Sequence, residues 1–148
     1  MSTRILFVCL GNICRSPSAQ GVFAALSSHL DVVVDSAGTS GWHAGEAPYA
    51  PMQAAARARG YDLSAQRSRL FTASDFDGFD LIIGMDIANL RDIEDLRPAG
   101  NATPVVLFTD YVDGPADHVP DPYYTGDFNG ALDLIEAASA GLIAQLAQ

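Results

Sequence analysis

The chain has 148 residues, with 18 acidic side chains against eight arginines and no lysine, and a net charge of −10. This length fits one domain with one core, so we expect residues 1–148 to form a single domain. The negative charge disfavours nucleic acid and anionic membranes as partners. No apolar run has the length of a membrane span or a signal-peptide core. The chain has only two cysteines, and a reactive thiol needs a reducing compartment to stay reduced. We therefore expect a cytoplasmic protein.

Apolar runs alternate with helix-like segments along the chain. Four runs have the length and composition of buried parallel strands: residues 5–8, 32–34, 81–84 and 105–108. Four segments carry Ala and Leu at helical spacing: residues 16–28, 50–59, 87–96 and 128–146. This alternation predicts the α/β class, a doubly wound four-stranded parallel sheet with right-handed crossovers and helices on both faces. Three stretches lack the periodicity of a helix or strand: residues 36–48, 62–79 and 109–127. We expect the first and third to form loops that line a pocket.

The segment after the first predicted strand has the features of an anion-binding loop. It reads Cys-Leu-Gly-Asn-Ile-Cys-Arg at positions 9–15. Gly11 and Asn12 tolerate left-handed backbone angles, which lets the loop curl with its N–H groups inward. Ser16 is predicted to cap the next helix and Pro17 to begin it. The loop and the helix amino terminus together predict a phosphate site.

Cys9 and Arg15 are the candidate reactive and phosphate-binding residues of this site. The guanidinium of Arg15 matches two phosphate oxygens, with Cys9 beneath the phosphorus. Because a helix amino terminus and a neighbouring arginine favour the thiolate, we expect Cys9 to be a resting nucleophile. Ser16 would donate its hydroxyl to the sulfur. Simple packing of a buried cysteine is the alternative, but it does not account for the residues that follow Cys9.

Asp121 is the candidate general acid. It lies between two prolines and before Tyr123 and Tyr124, whose rings favour the protonated carboxyl by excluding water. Taken alone, the stretch is more typical of an acidic turn, since Asp-Pro is a common turn pair. Trp42, in a Gly-rich segment, and the two tyrosines would sandwich a phenyl ring. Loop anchoring or a small satellite cluster is the alternative for these aromatic residues.

The run from Val8 to Pro17 resembles the signature of the low-molecular-weight protein tyrosine phosphatases. Asp121 to Tyr124, about a hundred residues later, resembles a second motif of that family, and the likeness covers nearly the whole chain. The resemblance implies a flavodoxin-like sheet of strand order 2-1-3-4, with Cys9 at the switch point. It also implies hydrolysis of protein phosphotyrosine through a cysteinyl-phosphate intermediate. In that reaction Arg15 holds the phosphate and Asp121 acts as acid, then as base.

The resemblance assigns further roles within the site. Substrate-binding residues are Leu10, Gly11, Asn12, Ile13, Cys14, Trp42, Tyr123 and Tyr124. Ser16 and Ser36 are supporting residues, Ser36 by bonding the Asn12 amide. Ile13 favours phosphotyrosine, because related phosphoarginine phosphatases carry a smaller, hydroxyl-bearing residue there. Gln66 and Leu70 depart from a His and a Gln of the family pattern, so the sequence leaves open how Asn12 is held.

Partners and alternatives follow from the same resemblance. The expected partner is a phosphotyrosine-containing protein, with a tyrosine kinase as one candidate, and the chain is expected to be a monomer or weak dimer. Arsenate reductase is a second reading, although no thiol follows Cys14. A non-catalytic phosphate-binding module is a third.

The spacing of His29, His43 and His118 fits no metal motif, so no metal or cofactor is expected. Asp86 is predicted to cap the helix that follows it.

Overall fold

A parallel four-stranded sheet organises the chain, of which the computed structural model describes residues 2–148. Its strands are β1 (Thr3–Cys9), β2 (Val32–Gly38), β3 (Leu81–Gly84) and β4 (Val105–Leu107). They lie in the order β2-β1-β3-β4, and all three pairings are parallel. The predicted strand order is confirmed. β2 runs beyond the predicted residue 34 because its polar residues Asp35 and Ser36 continue to pair with β1.

Helices cover both faces of the sheet, as predicted. They are α1 (Arg15–Leu26), α2 (Ala50–Ala58), α3 (Asp75–Gly78), α4 (Ile87–Glu94), α5 (Pro122–Thr125) and α6 (Phe128–Leu146). The two four-residue helices α3 and α5 lie in stretches that the sequence analysis left without structure. Phe108, predicted as the last residue of a strand, instead begins a 3-10 helix (Phe108–Tyr111).

Side chains of β1 alternate between two buried clusters. Phe7 packs on one face, where its ring lies 5.7 Å from that of Phe23 in α1 and 5.0 Å from that of Phe108. Leu6 and Val8 point to the other face, where Phe76 of α3 belongs to the same cluster. Because successive strand residues face opposite sides, burial on both faces explains why β1 is an unbroken apolar run. Within residues 2–148 no helix combines the length and apolar character needed to cross a membrane.

The carboxyl ends of the strands bring separate segments together at one edge of the sheet. Cys9 ends β1, and Gly38, its partner in register, ends β2. A Cβ atom at Gly38 would lie 2.8 Å from the backbone oxygen of Leu10. No side chain fits at that distance, so glycine is what allows β2 to approach the loop after Cys9. The predicted pocket therefore forms at the strand ends, as expected for a doubly wound sheet.

Candidate active site

The phosphate loop, residues 9–15, wraps around the sulfur of Cys9. The backbone N–H of Asn12 donates to Cys9 Sγ at 3.2 Å, and Ser16 Oγ lies 3.0 Å from the same sulfur. The side-chain amide of Asn12 donates to Ser16 Oγ at 2.7 Å. With its oxygen accepting from Asn12, Ser16 can donate its own proton to the sulfur or to the backbone oxygen of Ala37, which lies farther away at 3.4 Å. These two donors stabilise a negative charge on Cys9.

The prediction that Ser16 caps α1 is wrong. The helix begins at Arg15, its N-cap is Cys14, and no side chain caps it. The reason is that the end of the loop has already curled into helical geometry, so that the N–H of Ser18 donates to the oxygen of Cys14 at 3.2 Å. An uncapped helix amino terminus remains suited to binding an anion.

The side chain of Asn12 stabilises the turn of the phosphate loop through hydrogen bonds on the side away from the cavity. Its φ angle of 55° is left-handed, and Asn12 is the one such non-glycine residue in the part of the chain that the structure describes. Its amide nitrogen donates to Ser36 Oγ at 3.0 Å, and its amide oxygen accepts from the N–H of Arg69 at 3.0 Å. Ser36 in turn donates to Gln20 Oε1 at 2.7 Å. This network keeps the strained turn in place.

Arg15 is the one arginine of the loop, and it is almost completely buried. Its Nη1 donates to Asp86 Oδ2 at 2.7 Å and to the backbone oxygen of Val119 at 3.0 Å, while Nη2 lies 3.5 Å from Asp121 Oδ2. Burial opposes its charge, but Cys9 and the carboxylates of Asp86 and Asp121 raise the pKa of the guanidinium. The buried Nε has no partner among residues 2–148. A donor left free beside the phosphate loop is suited to a phosphate oxygen.

The carboxyl of Asp121 caps a short helix and also faces the cavity. As N-cap of α5, it accepts from the backbone N–H of Tyr123 through Oδ1 at 3.1 Å. Its second oxygen faces Arg15. The turn motif therefore positions the carboxyl at the pocket, so the structural and the chemical readings of this residue are compatible.

The predicted site residues gather around a cavity of about 310 Å³. Twelve residues line it: Cys9, Leu10, Gly11, Ile13, Cys14, Arg15, Ser40, Trp42, His43, Asp121, Tyr123 and Tyr124. Asn12, predicted to bind substrate, does not line the cavity, because its side chain is turned under the loop. Ser40 and His43 do line it, although the sequence analysis gave neither a role there.

Aromatic side chains stand at the mouth of this cavity. Trp42 is 86% exposed and Tyr124 is 74% exposed, whereas the Tyr123 ring is partly covered. The Tyr123 ring centroid lies 5.3 Å from that of Tyr124 and 6.1 Å from that of His43. His43 is itself held by Glu46, 2.9 Å from its Nδ1 atom. Exposed aromatic rings at the mouth of a cavity are typical of a surface that binds an aromatic ligand.

Comparison with known proteins identifies the family. Residues 4–148 match the family model described as low molecular weight phosphotyrosine protein phosphatase. The chain belongs to this family. The resemblance inferred from the sequence is thereby confirmed, and Cys9 and Arg15 occupy the expected positions of the family's phosphate loop.

Relatives match over nearly the whole chain. A low molecular weight protein-tyrosine-phosphatase of Streptomyces coelicolor is 43% identical over 97% of this chain and 93% of its own. YfkJ of Bacillus subtilis, which carries the same family name, is 37% identical over 96% of this chain and 94% of its own. The crystal structure of YfkJ matches with a TM-score of 0.94 at 36% identity, covering 99% of this chain and 96% of its own. The Drosophila arginine phosphatase DARP matches with a TM-score of 0.91 at 30% identity, covering 97% and 98%.

The two departures from the family pattern do not leave Asn12 unsupported. Gln66 donates from Nε2 to the backbone oxygen of Pro17 at 2.9 Å. Asn12 is held by Ser36 and Arg69 instead, and Ser36 by Gln20, a residue that the sequence analysis did not identify. Gln20 lies four residues after Ser16 in α1, so helical spacing could have placed it on the same face as the loop.

Asp86 contacts Arg15 in the site, a role that the sequence analysis did not predict. It caps α4 as predicted, accepting from the N–H of Asn89 at 2.8 Å. Its other oxygen holds Arg15. The available signal was its place two residues after the end of β3, because β3 lies beside β1 and their carboxyl ends share the edge that carries Cys9. Residues 2–148 contain no cluster of three or more His, Cys, Asp or Glu side chains arranged to hold a metal ion.

Proposed function

We propose that this phosphatase hydrolyses phosphotyrosine in proteins through a cysteinyl-phosphate intermediate, with residues 1–148 acting as one domain. One observation carries the proposal. A sulfur with two hydrogen-bond donors, a guanidinium with a free buried Nε, and a carboxyl paired with that guanidinium all line one cavity. These are the nucleophile, phosphate clamp and acid that a metal-free phosphoryl transfer requires.

In the first step Cys9 Sγ attacks phosphorus and the bond to the substrate oxygen breaks. Arg15 and the loop N–H groups hold the other phosphate oxygens, and Asp121 gives its proton to the departing oxygen. Because Asp86 and Val119 fix Nη1 of Arg15 from behind, the guanidinium is oriented before substrate arrives. Orientation of this kind lowers the barrier by removing the need to order the groups during the reaction.

In the second step water attacks phosphorus and the sulfur leaves. Asp121, now a carboxylate, takes a proton from that water, so one carboxyl serves both steps. The donors from Ser16 and Asn12 to Cys9 Sγ stabilise the thiolate as it departs. The products are inorganic phosphate and the starting enzyme.

The lining of the pocket favours phosphotyrosine over phosphoarginine. Ile13 faces the cavity with an apolar side chain, which offers no hydrogen-bond partner to a guanidinium. Trp42 and Tyr124 provide exposed rings against which a phenol ring can stack. The shared fold does not decide this point, since DARP has it and is named an arginine phosphatase.

The proposed partner is a phosphotyrosine-containing protein in the cytoplasm, where a tyrosine kinase is one candidate, and the chain would act as a monomer or weak dimer. A thiolate nucleophile requires a reducing compartment to stay active, which supports this location. Both cysteines are free thiols. No thiol follows Cys14, so the downstream thiols of arsenate reductase chemistry are absent from the sequence.

Replacement of the acid provides the test. We expect wild-type protein to hydrolyse a phosphotyrosine peptide much faster than phosphoserine or phosphoarginine peptides. Asp121→Asn should lower kcat on phosphotyrosine by about 10²–10⁴, the usual contribution of a general acid. The loss on dinitrophenyl phosphate should be far smaller, because that leaving group departs without a proton. Steady-state kinetics on both substrates measures the difference.

Asp127→Asn is the matched control. Asp127 is also an N-cap, accepting from the N–H of Gly130 at the start of α6, but it does not line the cavity. This variant should keep nearly wild-type kinetics on both substrates. Equal losses on the two substrates in Asp121→Asn would remove Asp121 from the acid role. Preference of the wild type for phosphoarginine would overturn the assigned substrate.

The redox behaviour of the loop gives a second prediction. Burial raises the pKa of the Cys14 thiol, and the charges of Asp121 and Cys9 add to that effect, which disfavours Cys14 as a thiolate nucleophile. Peroxide should oxidise Cys9 to a sulfenic acid that Cys14 traps as a disulfide, with water released. Activity should return with dithiothreitol. Cys14→Ser should keep turnover but lose this recovery. Mass spectrometry of inactivated wild type without a Cys9 to Cys14 link would contradict the prediction.

A further inference from the structure

A set of stacked aromatic rings joins the phosphate loop to the segment that carries Asp121. Tyr49, outside the cavity lining, stands at its centre: its ring centroid lies 5.0 Å from that of Tyr123 and 6.1 Å from that of Phe128. We propose that Tyr49 is a positioning residue, whose ring holds Tyr123 and thereby keeps the carboxyl of Asp121 over the phosphate loop. This inference rests on the proposed role of Asp121 as the acid.

The backbone of Tyr49 is fixed to the phosphate loop. Its N–H donates to the oxygen of Ile13 at 2.8 Å. Tyr49 is also the N-cap of α2, and its own oxygen accepts from the N–H of Gln53 at 3.0 Å. A residue held at both its N–H and its carbonyl has little freedom to move, so its ring is a stable support for whatever packs on it.

The ring of Tyr49 contacts both ends of the short segment that includes α5. Tyr123 lies within α5, and Phe128 is the first residue of α6. The Tyr49 and Tyr123 rings meet edge to face at 63°, a favourable arrangement for aromatic pairs. The N–H of Tyr123 donates to Asp121 Oδ1 at 3.1 Å. Displacement of Tyr123 would therefore move the donor that orients the Asp121 carboxyl.

The segment needs such a support because its own structure is weak. A helix of four residues, such as α5, is not stable by itself in water. Tyr123 is 43% exposed, so core packing does not fix its ring. Its other ring partners among residues 2–148 are His43, at 6.1 Å between centroids, and its own neighbour Tyr124, at 5.3 Å. The contact with Tyr49, at 5.0 Å, is the closest of these three ring contacts of Tyr123.

Truncation of the ring distinguishes positioning from general stability. Tyr49→Ala keeps both backbone hydrogen bonds and removes only the ring contacts. We expect kcat on a phosphotyrosine peptide to fall roughly three- to tenfold, the factor that corresponds to loss of one aromatic pair. On dinitrophenyl phosphate, which needs no acid, kcat should stay within about twofold. Tyr49→Phe should restore wild-type behaviour on both substrates, since the proposed contacts involve the ring and not the hydroxyl.

Tyr61→Ala is the matched control, because Tyr61 follows α2 and bonds Glu136 of α6 away from the cavity. It should leave the ratio of the two rates unchanged, whatever its effect on thermal unfolding. The double variant Tyr49→Ala/Asp121→Asn should be no slower than Asp121→Asn alone, since Tyr49 acts only through the acid. Equal losses on both substrates in Tyr49→Ala, or no loss on either, would overturn the inference.

Asp121→Asn measured in parallel separates the two proposals. If Asp121→Asn shows the leaving-group dependence and Tyr49→Ala does not, Asp121 remains the acid and only the inference on Tyr49 fails. If Asp121→Asn itself shows no such dependence, the acid assignment fails, and the role of Tyr49 fails with it.

Discussion

Cys9→Ser should abolish turnover on every phosphate ester while leaving phosphate binding intact. The serine hydroxyl stays protonated at neutral pH and cannot replace a thiolate as nucleophile. The donors that hold phosphate remain, because Arg15 keeps its contacts with Asp86 and Val119 and the backbone of the loop is unchanged. Steady-state kinetics measures the first effect, and calorimetric titration with inorganic phosphate measures the second.

Cys14→Ser is the control for this variant. Cys14 is the other buried cysteine of the same loop, and its side chain takes no part in the two proposed steps of hydrolysis. It should retain much of the wild-type rate under reducing conditions. Substantial turnover in Cys9→Ser, beyond what trace contamination supplies, would remove Cys9 as the nucleophile.

Arg15→Lys should weaken phosphate binding and lower kcat together. Arg15 uses Nη1 for Asp86 and Val119 and Nη2 for Asp121, which leaves Nε free for substrate. A lysine has one ammonium group and cannot hold these partners and a phosphate oxygen at once. We expect kcat to fall by about 10²–10³, the loss measured when one donor to a transition-state oxyanion is removed.

Arg97→Lys provides the comparison for the same chemical change. Arg97 pairs with Glu94, three residues earlier, contacts the ring of Phe76 and does not line the cavity. Its replacement should affect thermal stability slightly and kinetics not at all. A mild kinetic effect of Arg15→Lys, similar to that of Arg97→Lys, would count against the proposed clamp.

The sequence by itself determined the parts of the site that are contiguous along the chain. The phosphate loop is one run from Cys9 to Arg15, and its glycine, asparagine and arginine have local conformational and chemical meanings that can be read without a structure. The neighbours of Asp121 by themselves indicate a turn residue, and only the family resemblance made it the candidate acid. The alternation of apolar runs and helical segments predicted the sheet because periodicity reports burial.

Only the tertiary structure decided which polar groups from separate segments meet. Asp86 reaches Arg15 because β3 lies beside β1. Asn12 is held by the N–H of Arg69, 57 residues away along the chain, in addition to Ser36, whose bond to Asn12 the family resemblance had implied. Ser16, predicted both to cap α1 and to donate to the sulfur, lies inside the helix, because α1 begins at Arg15, two residues before the predicted start at Pro17. Its oxygen lies 3.0 Å from the sulfur of Cys9. Apolar periodicity reports which face of an element is buried. It carries no information about the register and order that bring distant polar side chains together.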